Sequence, residues 1–318
     1  MTINKVCILG GTGFVGSHLA SRLNNHGISV RIPTRHPQRH RGIVAGGQIE
    51  LISLQDPFER QQIEAAMEGC DAAVNLVGIL NENRVGLDFQ QVHVTLADQI
   101  LEACKKSGIT RLLHMSALNA NESNGYSAYL KTKGEAENRT HTLGKPQVKV
   151  TSFRPSVIFG PGDSFFNRFA GLLRSLPGPF PLACPDTQFA PVYVGDVVEA
   201  FARTLDDRTT WGKHYQLCGP ESFTLRELVA YTIRQTGLNK RIIGLGDSAS
   251  QLQARILGRL PGKPFSYDNY LSLQVDSLCT ENGLRELGIK PASIDSIVPY
   301  MLTEKSARRR YQQLRRQV

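Results

Sequence analysis

A tyrosine, a lysine and a serine near the middle of the sequence have the types and spacing needed for redox chemistry on a carbonyl or an alcohol. Lys133 follows Tyr129 by four residues within a helix-like run, and Ser116 ends the apolar run RLLHMS upstream. Residues four apart share one face of a helix, and an ammonium group beside a phenol lowers the tyrosine pKa. Tyr129 could then exchange a proton with a substrate oxygen while hydride moves to or from a nicotinamide, with Ser116 hydrogen-bonded to the same oxygen. The opposing interpretation is a surface helix with an amphipathic tyrosine and a solvated lysine.

A glycine-rich turn near the N-terminus predicts a site for a dinucleotide. The segment ILGGTGFVGSHLA places Gly10, Gly13 and Gly16 between a strand-like run and a helix-like run. The first glycine allows a sharp turn, the second allows the backbone to approach a pyrophosphate, and the third allows close packing of helix on strand. The N–H groups at the helix N-terminus attract the phosphates. A glycine triad alone is weak evidence, but this one stands in the strand–turn–helix context that the interpretation requires.

The end of the second predicted strand favours NADP(H) over NAD(H). Its sequence, RIPTRHPQR, contains no acidic residue that could hydrogen-bond a ribose 2′-hydroxyl. Thr34 and Arg35 stand about where that acid would be, and Arg31 and Arg39 flank them. A guanidinium group there pairs with a 2′-phosphate. The alternative is that some of these arginines simply face solvent.

The alternation of strand-like and helix-like runs predicts an α/β protein of Rossmann type, with a doubly wound parallel sheet and a small irregular α/β C-terminal lobe. We predict a dinucleotide-binding domain over residues 1–160, to which a segment at about 185–205 returns, a smaller lobe over 161–300 and a basic tail over 301–318. Thr224 and Glu227 form a predicted capping box at a helix start in the lobe.

Composition narrows the class of protein. The chain has 318 residues with 41% apolar residues, no apolar run long enough to span a membrane and no leader-like N-terminus, so we expect a cytoplasmic protein. Its six cysteines form no C-x-x-C pair, which predicts reduced, mostly buried thiols, no disulfide framework and no zinc site. His36 and His40 are expected to be solvated, and we predict no metal site.

The net charge of +9 is concentrated in two basic clusters, at 31–42 and 304–318. A basic tail is either a solvated helix end or a surface for an acidic partner or an anionic membrane, at whose inner face the protein would then be peripheral. Nucleic acid is not an expected partner, because neither cluster lies within a recognisable nucleic-acid-binding motif.

Several motifs in order along the chain resemble the extended and atypical short-chain dehydrogenase/reductase superfamily. They are GGTGFVG, NLVG, Ser116, YLKTK and RPSVIFGPGD. The finer resemblance, carried by QVHVTLADQIL, HMSALNA and FAPVYVGDVVEAF, is to the branch that contains the nucleotide-binding accessory subunit of mitochondrial respiratory complex I and its bacterial relatives. In that branch the nucleotide is thought to serve structure or assembly more than turnover.

The resemblance implies a bound NADP(H) and specific residue roles. It assigns catalysis to Ser116, Tyr129 and Lys133, with Lys133 also reaching the nicotinamide ribose. It assigns cofactor binding to Gly10, Gly13, Phe14, Val15, Gly16, Arg35, Arg31, Arg39, Asn75, Leu76, Val77, Gly78, Pro155, Val157 and Ile158. Thr34 joins these cofactor-binding candidates because of its position at the end of the second predicted strand. His93 stands where the sugar-nucleotide enzymes of the wider group have an asparagine, so their epimerase and dehydratase chemistry is not expected.

Two functions from different classes therefore remain open. One is an NADP(H)-dependent oxidoreductase acting on a small carbonyl, alcohol or quinone-like substrate. The other is a non-catalytic NADPH-binding accessory or assembly protein of a membrane-associated respiratory complex. A nucleotide-ratio sensor is a weaker third interpretation.

Overall fold

A computed structural model describes residues 3–44, 47–82 and 87–302. The basic tail predicted from residue 301 therefore lies, from residue 303 onward, outside the described residues.

The described elements alternate between strands and helices through the first half of the chain. In chain order they are β1 (Lys5–Leu9), α1 (Phe14–Asn25), β2 (Ser29–Thr34), a 3-10 helix (Pro37–Val44), β3 (Ile49–Ser53), α2 (Arg60–Met67), β4 (Ala72–Asn75), a π-helix (Gln90–Thr95), α3 (Leu96–Lys106), β5 (Arg111–Met115), α4 (Ala128–Gly144) and β6 (Lys149–Pro155).

The elements after β6 are shorter and less regular. They are β7 (Ile158–Phe159), α5 (Phe166–Ser175), β8 (Phe180–Leu182), β9 (Gln188–Phe189), β10 (Val192–Tyr193), α6 (Val194–Thr204), a 3-10 helix (Arg208–Thr210), β11 (His214–Leu217), β12 (Phe223–Thr224), α7 (Leu225–Thr236), β13 (Ile242–Gly244), α8 (Asp247–Leu257), α9 (Tyr267–Ser272) and α10 (Gly283–Glu286).

Seven strands form one sheet in the order β3-β2-β1-β4-β5-β6-β11, and every neighbouring pair is parallel. The strand order reverses between β1 and β4, because the chain runs outward from β1 in one direction and then returns to its other side. Loops at the carboxyl ends of strands beside such a reversal are where doubly wound sheets bind ligands. The predicted α/β fold of Rossmann type, with a doubly wound parallel sheet, is confirmed.

Burial on both faces explains why the sheet strands have nearly continuous apolar sequences. Every residue of β4 and β5 is buried, as expected for a parallel sheet covered by crossover helices. On one face, apolar residues of α2 and α3 join those of the strands in a core cluster that includes Cys7, Ile63, Met67, Ile100 and Leu112. The ring of Phe153 on β6 packs against that of Phe201 on α6 with 4.0 Å between centroids.

The chain divides into two compact units. The first consists of the described residues through Pro155 together with Gly195–Leu217 and Thr280–Ile289, and it contains the seven-stranded sheet. The second consists of Ser156–Val194, Cys218–Cys279 and the described residues from Lys290 onward. We predicted that a segment at about 185–205 rejoins the first unit, and in the structure the rejoining segment is Gly195–Leu217. A second segment, Thr280–Ile289, also belongs to the first unit and was not predicted.

The second unit is built on three two-stranded pairs, β7 with β10, β8 with β13 and β9 with β12. Its cores gather apolar side chains around α5 and α7, including Phe159, Phe166 and Leu228. The predicted capping box is confirmed, since Thr224 and Glu227 each accept a hydrogen bond from the other's backbone N–H group at the start of α7.

The prediction for the cysteines is wrong in one respect. Cys218 and Cys279 form a disulfide that joins positions separated by 61 residues, both in the second unit. Local spacing could not reveal this pair, because the fold brings the two positions together. Cys7, Cys70 and Cys104 are buried free thiols, and Cys184 is a partly buried one. Within the described part of the chain, no helix is long and apolar enough to cross a membrane.

Candidate functional site

The glycine turn has the close contacts that its predicted role requires. Gly10 has a φ of +80°, and a Cβ on it would lie 3.1 Å from the carbonyl carbon of Leu76 after β4. A Cβ on Gly16 would lie 2.3 Å from the Gly10 carbonyl oxygen, so only glycine allows α1 to approach the turn this closely. Gly13 precedes α1 and gives it no side-chain cap. The first-turn N–H groups of Phe14, Val15 and Gly16 are therefore available to a phosphate.

The arginines at the end of β2 behave differently from one another. Arg35 is exposed just after the strand, and Arg39 is exposed on the 3-10 helix that follows. Neither guanidinium group has an ion pair or hydrogen bond with any residue in the described ranges. Thr34 is buried, and its hydroxyl oxygen lies 3.4 Å from the donating N–H group of His36. Two free guanidinium groups at this position could receive a phosphate.

The guanidinium group of Arg31 is already hydrogen-bonded within the protein. Its guanidinium group donates to Glu50 at 3.0 Å and to the carbonyl of Glu68, beyond the C-terminus of α2, at 2.7 Å. The acceptors at a helix end attract a cation, and Glu50 adds a full negative charge. Arg31 would have to release these partners before it could bind a 2′-phosphate, whereas Arg35 and Arg39 would not.

The segment after β4 connects the glycine turn with the predicted catalytic pair. Asn75 is buried and accepts a hydrogen bond from the N–H group of Val77 at 3.0 Å, which shapes the turn through Leu76. Gly78 faces Lys133, since a Cβ on it would lie 3.0 Å from the lysine Nζ. The absence of a side chain at position 78 thus makes room for the lysine.

Lys133 and Tyr129 lie one turn apart on α4, which Ser127 caps by accepting the N–H group of Leu130 at 3.1 Å. Lys133 is 4% exposed and donates to the carbonyl of Met115 at 3.1 Å. Burial lowers the pKa of Lys133 to about 8, although the negative charge of Glu137 partly opposes this shift. The surface-helix interpretation of this lysine is therefore wrong: it is a buried cation one turn from the tyrosine.

His93, at the position where the sugar-nucleotide enzymes have an asparagine, packs against Tyr129. It lies in the π-helix Gln90–Thr95, a helix type that frequently occurs at functional sites. Its Nε2 accepts the N–H group of Ile79 at 3.1 Å, so the ring proton is on Nδ1, which lies 2.9 Å from the Thr132 hydroxyl. Burial, reinforced by the charge of Lys133, lowers the pKa of His93 to about 2. The neutral ring meets that of Tyr129 edge-on, with 5.5 Å between centroids.

Ser116, which we predicted to hydrogen-bond a substrate oxygen, has a partner within the protein. Its hydroxyl group donates to Glu137 Oε2 at 2.6 Å, and the serine is 2% exposed. A hydroxyl group has one proton to donate. Ser116 can therefore accept a hydrogen bond from an alcohol, but it cannot donate one to a carbonyl oxygen without releasing Glu137.

Glu137 is the centre of a buried polar group that the sequence analysis missed. Besides Ser116, it binds Arg154 Nε at 3.0 Å and His214 Nδ1. Burial alone would raise the pKa of Glu137, but these hydrogen bonds and the Arg154 charge lower it to about 2. The one available signal was that Glu137 follows Lys133 by four residues, on the same helical face.

The last predicted cofactor segment is divided between the units. Pro155 ends β6 in the first unit, and its carbonyl accepts the N–H group of Leu118 at 3.1 Å. Val157 and Ile158 belong to the second unit, where Ile158 pairs with Val192 of β10.

Comparison with known proteins identifies the family. Residues 6–219 match the NAD dependent epimerase/dehydratase family. The chain belongs to this family. It is therefore an NAD(P)-binding protein of the short-chain dehydrogenase/reductase type, as its motifs predicted.

The relatives include a subunit of NADH dehydrogenase and a reductase. The chain is 29% identical over 295 residues to NADH dehydrogenase (ubiquinone) 1 alpha subcomplex subunit 9, mitochondrial, of Rattus norvegicus, covering 91% of this chain and 77% of that protein. It is 27% identical over 250 residues to (4-alkanoyl-5-oxo-2,5-dihydrofuran-3-yl)methyl phosphate reductase of Streptomyces griseus, covering 77% of this chain and 79% of that protein.

A solved structure has the same fold. The dTDP-glucose 4,6-dehydratase DesIV of Streptomyces venezuelae, solved with NAD and TYD bound, superposes with a TM-score of 0.74 at 18% identity, covering 96% of this chain and 98% of that one.

Proposed function

We propose that this protein is an NADP(H)-dependent oxidoreductase that transfers hydride between nicotinamide and a carbonyl or alcohol carbon. The observation that carries the proposal is the buried Lys133 one turn from Tyr129, beside the glycine at position 78. A buried ammonium group next to a phenol stabilises the phenolate, and a pure nucleotide scaffold does not require this pair. The family supplies the nicotinamide cofactor, whose hydride chemistry is its own.

In this mechanism Tyr129 gives its proton to the substrate oxygen as hydride arrives at the carbon, and takes it back in the reverse direction. Lys133 lowers the tyrosine pKa and stabilises the negative charge that forms on the phenol oxygen. His93 orders the tyrosine ring by its edge-on contact and does not exchange protons near neutral pH, because its pKa is about 2. Ser116 acts as an acceptor for the hydroxyl group of an alcohol.

The preference for NADP(H) is the finer part of the proposal. Its support is the pair of exposed guanidinium groups of Arg35 and Arg39 and the absence of any carboxylate from the segment RIPTRHPQR. A 2′-phosphate would receive charge-assisted hydrogen bonds from these groups.

The decisive experiment compares two tyrosines. Purified protein is supplied with NADPH and a panel of aldehydes, ketones and quinones, and oxidation of the cofactor is followed by its ultraviolet absorbance. Tyr129→Phe should reduce turnover by roughly 100- to 10,000-fold, the usual contribution of a general acid or base, with NADPH affinity unchanged. Tyr126→Phe is the matched control, because Tyr126 is 59% exposed and has a leucine four residues later. Equal turnover of Tyr129→Phe and wild type would exclude the proposed role.

Cofactor choice is tested separately. Arg35→Asp should weaken NADPH by roughly 10- to 100-fold, the value of one charge-assisted hydrogen bond, and leave NADH nearly unchanged. Arg174→Asp, an identical charge change at an exposed position of α5 in the second unit, should alter neither affinity. Equal loss of both nucleotides in Arg35→Asp would contradict the assignment of the 2′-phosphate.

A second candidate function is supported by the relatives. The similarity to a subunit of NADH dehydrogenase extends over 91% of this chain, which favours an accessory or assembly protein of a membrane-associated respiratory complex. The Ser116 hydroxyl group donates its proton to Glu137 and so does not offer it to a substrate carbonyl, which also agrees with a protein that does not turn over a substrate. Tight binding of NADPH, no oxidation of any substrate by the wild type, and co-purification with respiratory subunits from solubilised membranes would establish this function instead.

A further inference from the structure

A second group of chemically active side chains lies farther along α4, beyond the tyrosine–lysine pair. Glu137 and His141 are four residues apart on this helix, and His214 is the first residue of β11. One donor atom from each of the three side chains lies within 4.8 Å of the others. In the described ranges of the chain, this is the group of three that satisfies the geometry for a metal ion.

We propose that Glu137, His141 and His214 bind one divalent transition-metal ion, with Zn²⁺ as the ion that fits best. Two imidazoles and one carboxylate are a donor set that zinc uses in proteins, with a further position open to water. Harder ions such as Mg²⁺ prefer oxygen ligands. The proposal departs from our sequence-based expectation that the chain has no metal site.

The sheet register explains how these distant residues converge. His214 pairs with Ser152 on the neighbouring strand β6. His141 reaches down from α4 to the same serine, with its Nε2 2.9 Å from the Ser152 hydroxyl oxygen. The two imidazole rings then lie 4.0 Å apart between centroids, with 24° between their planes. A metal ion would tie helix α4 to the edge strand of the sheet.

The surroundings of Glu137 prepare it as a ligand. Arg154 and Ser116 both donate hydrogen bonds to the carboxylate, which keep it ionised and fix its orientation. Partners of this kind around a ligand are typical of metal sites. A Glu137 oxygen contacts His214 Nδ1, so the carboxylate and this imidazole nitrogen are already neighbours, and a metal ion would bind between them.

Two features limit the affinity. The positive charge of Arg154 opposes a second cation nearby, and the two imidazole rings are stacked with only 24° between their planes, so one of them must turn for both to bind the same ion. The His214 side chain is 38% exposed, so its ring has room to turn away from that of His141, and the ion can enter from solvent on that side.

The test uses full-length protein, freed of its purification tag and of metal by a chelator. Zn²⁺ is titrated by calorimetry, and Co²⁺ is used as a spectroscopic probe whose visible absorption reports its coordination geometry. We expect one equivalent of Zn²⁺, binding at least tenfold weaker in His141→Asn and in His214→Ala, and a tetrahedral Co²⁺ spectrum that both variants lose. His36→Ala, an exposed histidine of the basic loop, is the matched control and should bind like the wild type.

A second measurement guards against variants that fail to fold. The sole tryptophan, Trp211, belongs to the first unit and reports its unfolding by fluorescence. Zn²⁺ should raise the unfolding midpoint of the wild type and of His36→Ala, because a ligand bound to the folded state stabilises it. It should not do so for His214→Ala. Absence of binding to the wild type, retention of binding in both ligand variants, or loss of binding in His36→Ala would overturn the proposal.

Discussion

Lowering the pH from 7 to 5 should strongly destabilise the first unit, because it contains buried histidines that cannot take up a proton while folded. His93 and His114 are each 2% exposed, and burial, together with the charge of Lys133, lowers their pKa values to about 2 and about 3. An unfolded histidine titrates near 6.5. Below that pH the unfolded chain binds protons that the folded chain refuses, so stability is complete above pH 6.5 and falls as the pH drops toward the folded pKa.

The size of the loss follows from these values. At pH 5 an unfolded histidine is about 97% protonated and a folded one with a pKa of 3 is almost entirely neutral, which corresponds to about 2 kcal/mol for each residue. His93 and His114 together should therefore cost about 4 kcal/mol, a large part of the 5–15 kcal/mol that is typical of a folded domain. His141, whose pKa burial lowers to about 4, should add a similar individual loss.

The assay is urea unfolding at pH 7 and pH 5, followed by the fluorescence of Trp211. This residue reports on the first unit, where its ring contacts the cations of Arg208 and Lys149 at 5.6 and 5.9 Å. In His93→Gln, the amide oxygen can accept the Ile79 N–H group and the amide nitrogen can donate to Thr132, but the side chain does not titrate. The acid-induced loss should shrink by about 2 kcal/mol in this variant.

The control is His36→Gln, which removes an exposed histidine and should lose as much stability as the wild type between pH 7 and pH 5. An acid-induced loss in His93→Gln equal to that of the wild type would contradict this prediction. That result would mean that His93 either binds a proton in the folded state at pH 5 or is not buried in solution.

Two further predictions concern packing in the first unit. Gly16→Ala should weaken NADPH binding at least tenfold in a fluorescence titration, because the new Cβ would lie 2.3 Å from a backbone oxygen and would push α1 away from the turn. Gly42→Ala is the control and should bind NADPH normally, because the space around its Cβ is open. Arg111→Met should lower the free energy of unfolding by about 2–6 kcal/mol, because it removes the buried donors that satisfy the carbonyls of Leu205 and Thr204 and each unsatisfied buried acceptor costs about 1–3 kcal/mol. A loss below about 1 kcal/mol in urea unfolding would show that these acceptors find other donors.

Local sequence patterns were sufficient to predict the parallel sheet, the glycine turn and the tyrosine–lysine pair of the candidate site. Strand–helix alternation predicts a parallel sheet because parallel neighbours require crossovers. The glycine turn needs only its own residues and the strand beside it, so Gly10, Gly13 and Gly16 could be interpreted from spacing alone. The same holds for Tyr129 and Lys133, since four residues along one helix determine that they are neighbours.

Only the tertiary structure determined which partner each polar side chain contacts. It directed Arg31 to the end of α2, Ser116 to Glu137, and His93 to the tyrosine ring. It also joined Cys218 to Cys279 and brought His214 to Glu137 across 77 residues of chain. Spacing along the sequence predicts contacts only within one helix, one strand or one turn. Contacts between elements depend on sheet register and packing, which are set by burial of the whole core and are not encoded at any single position.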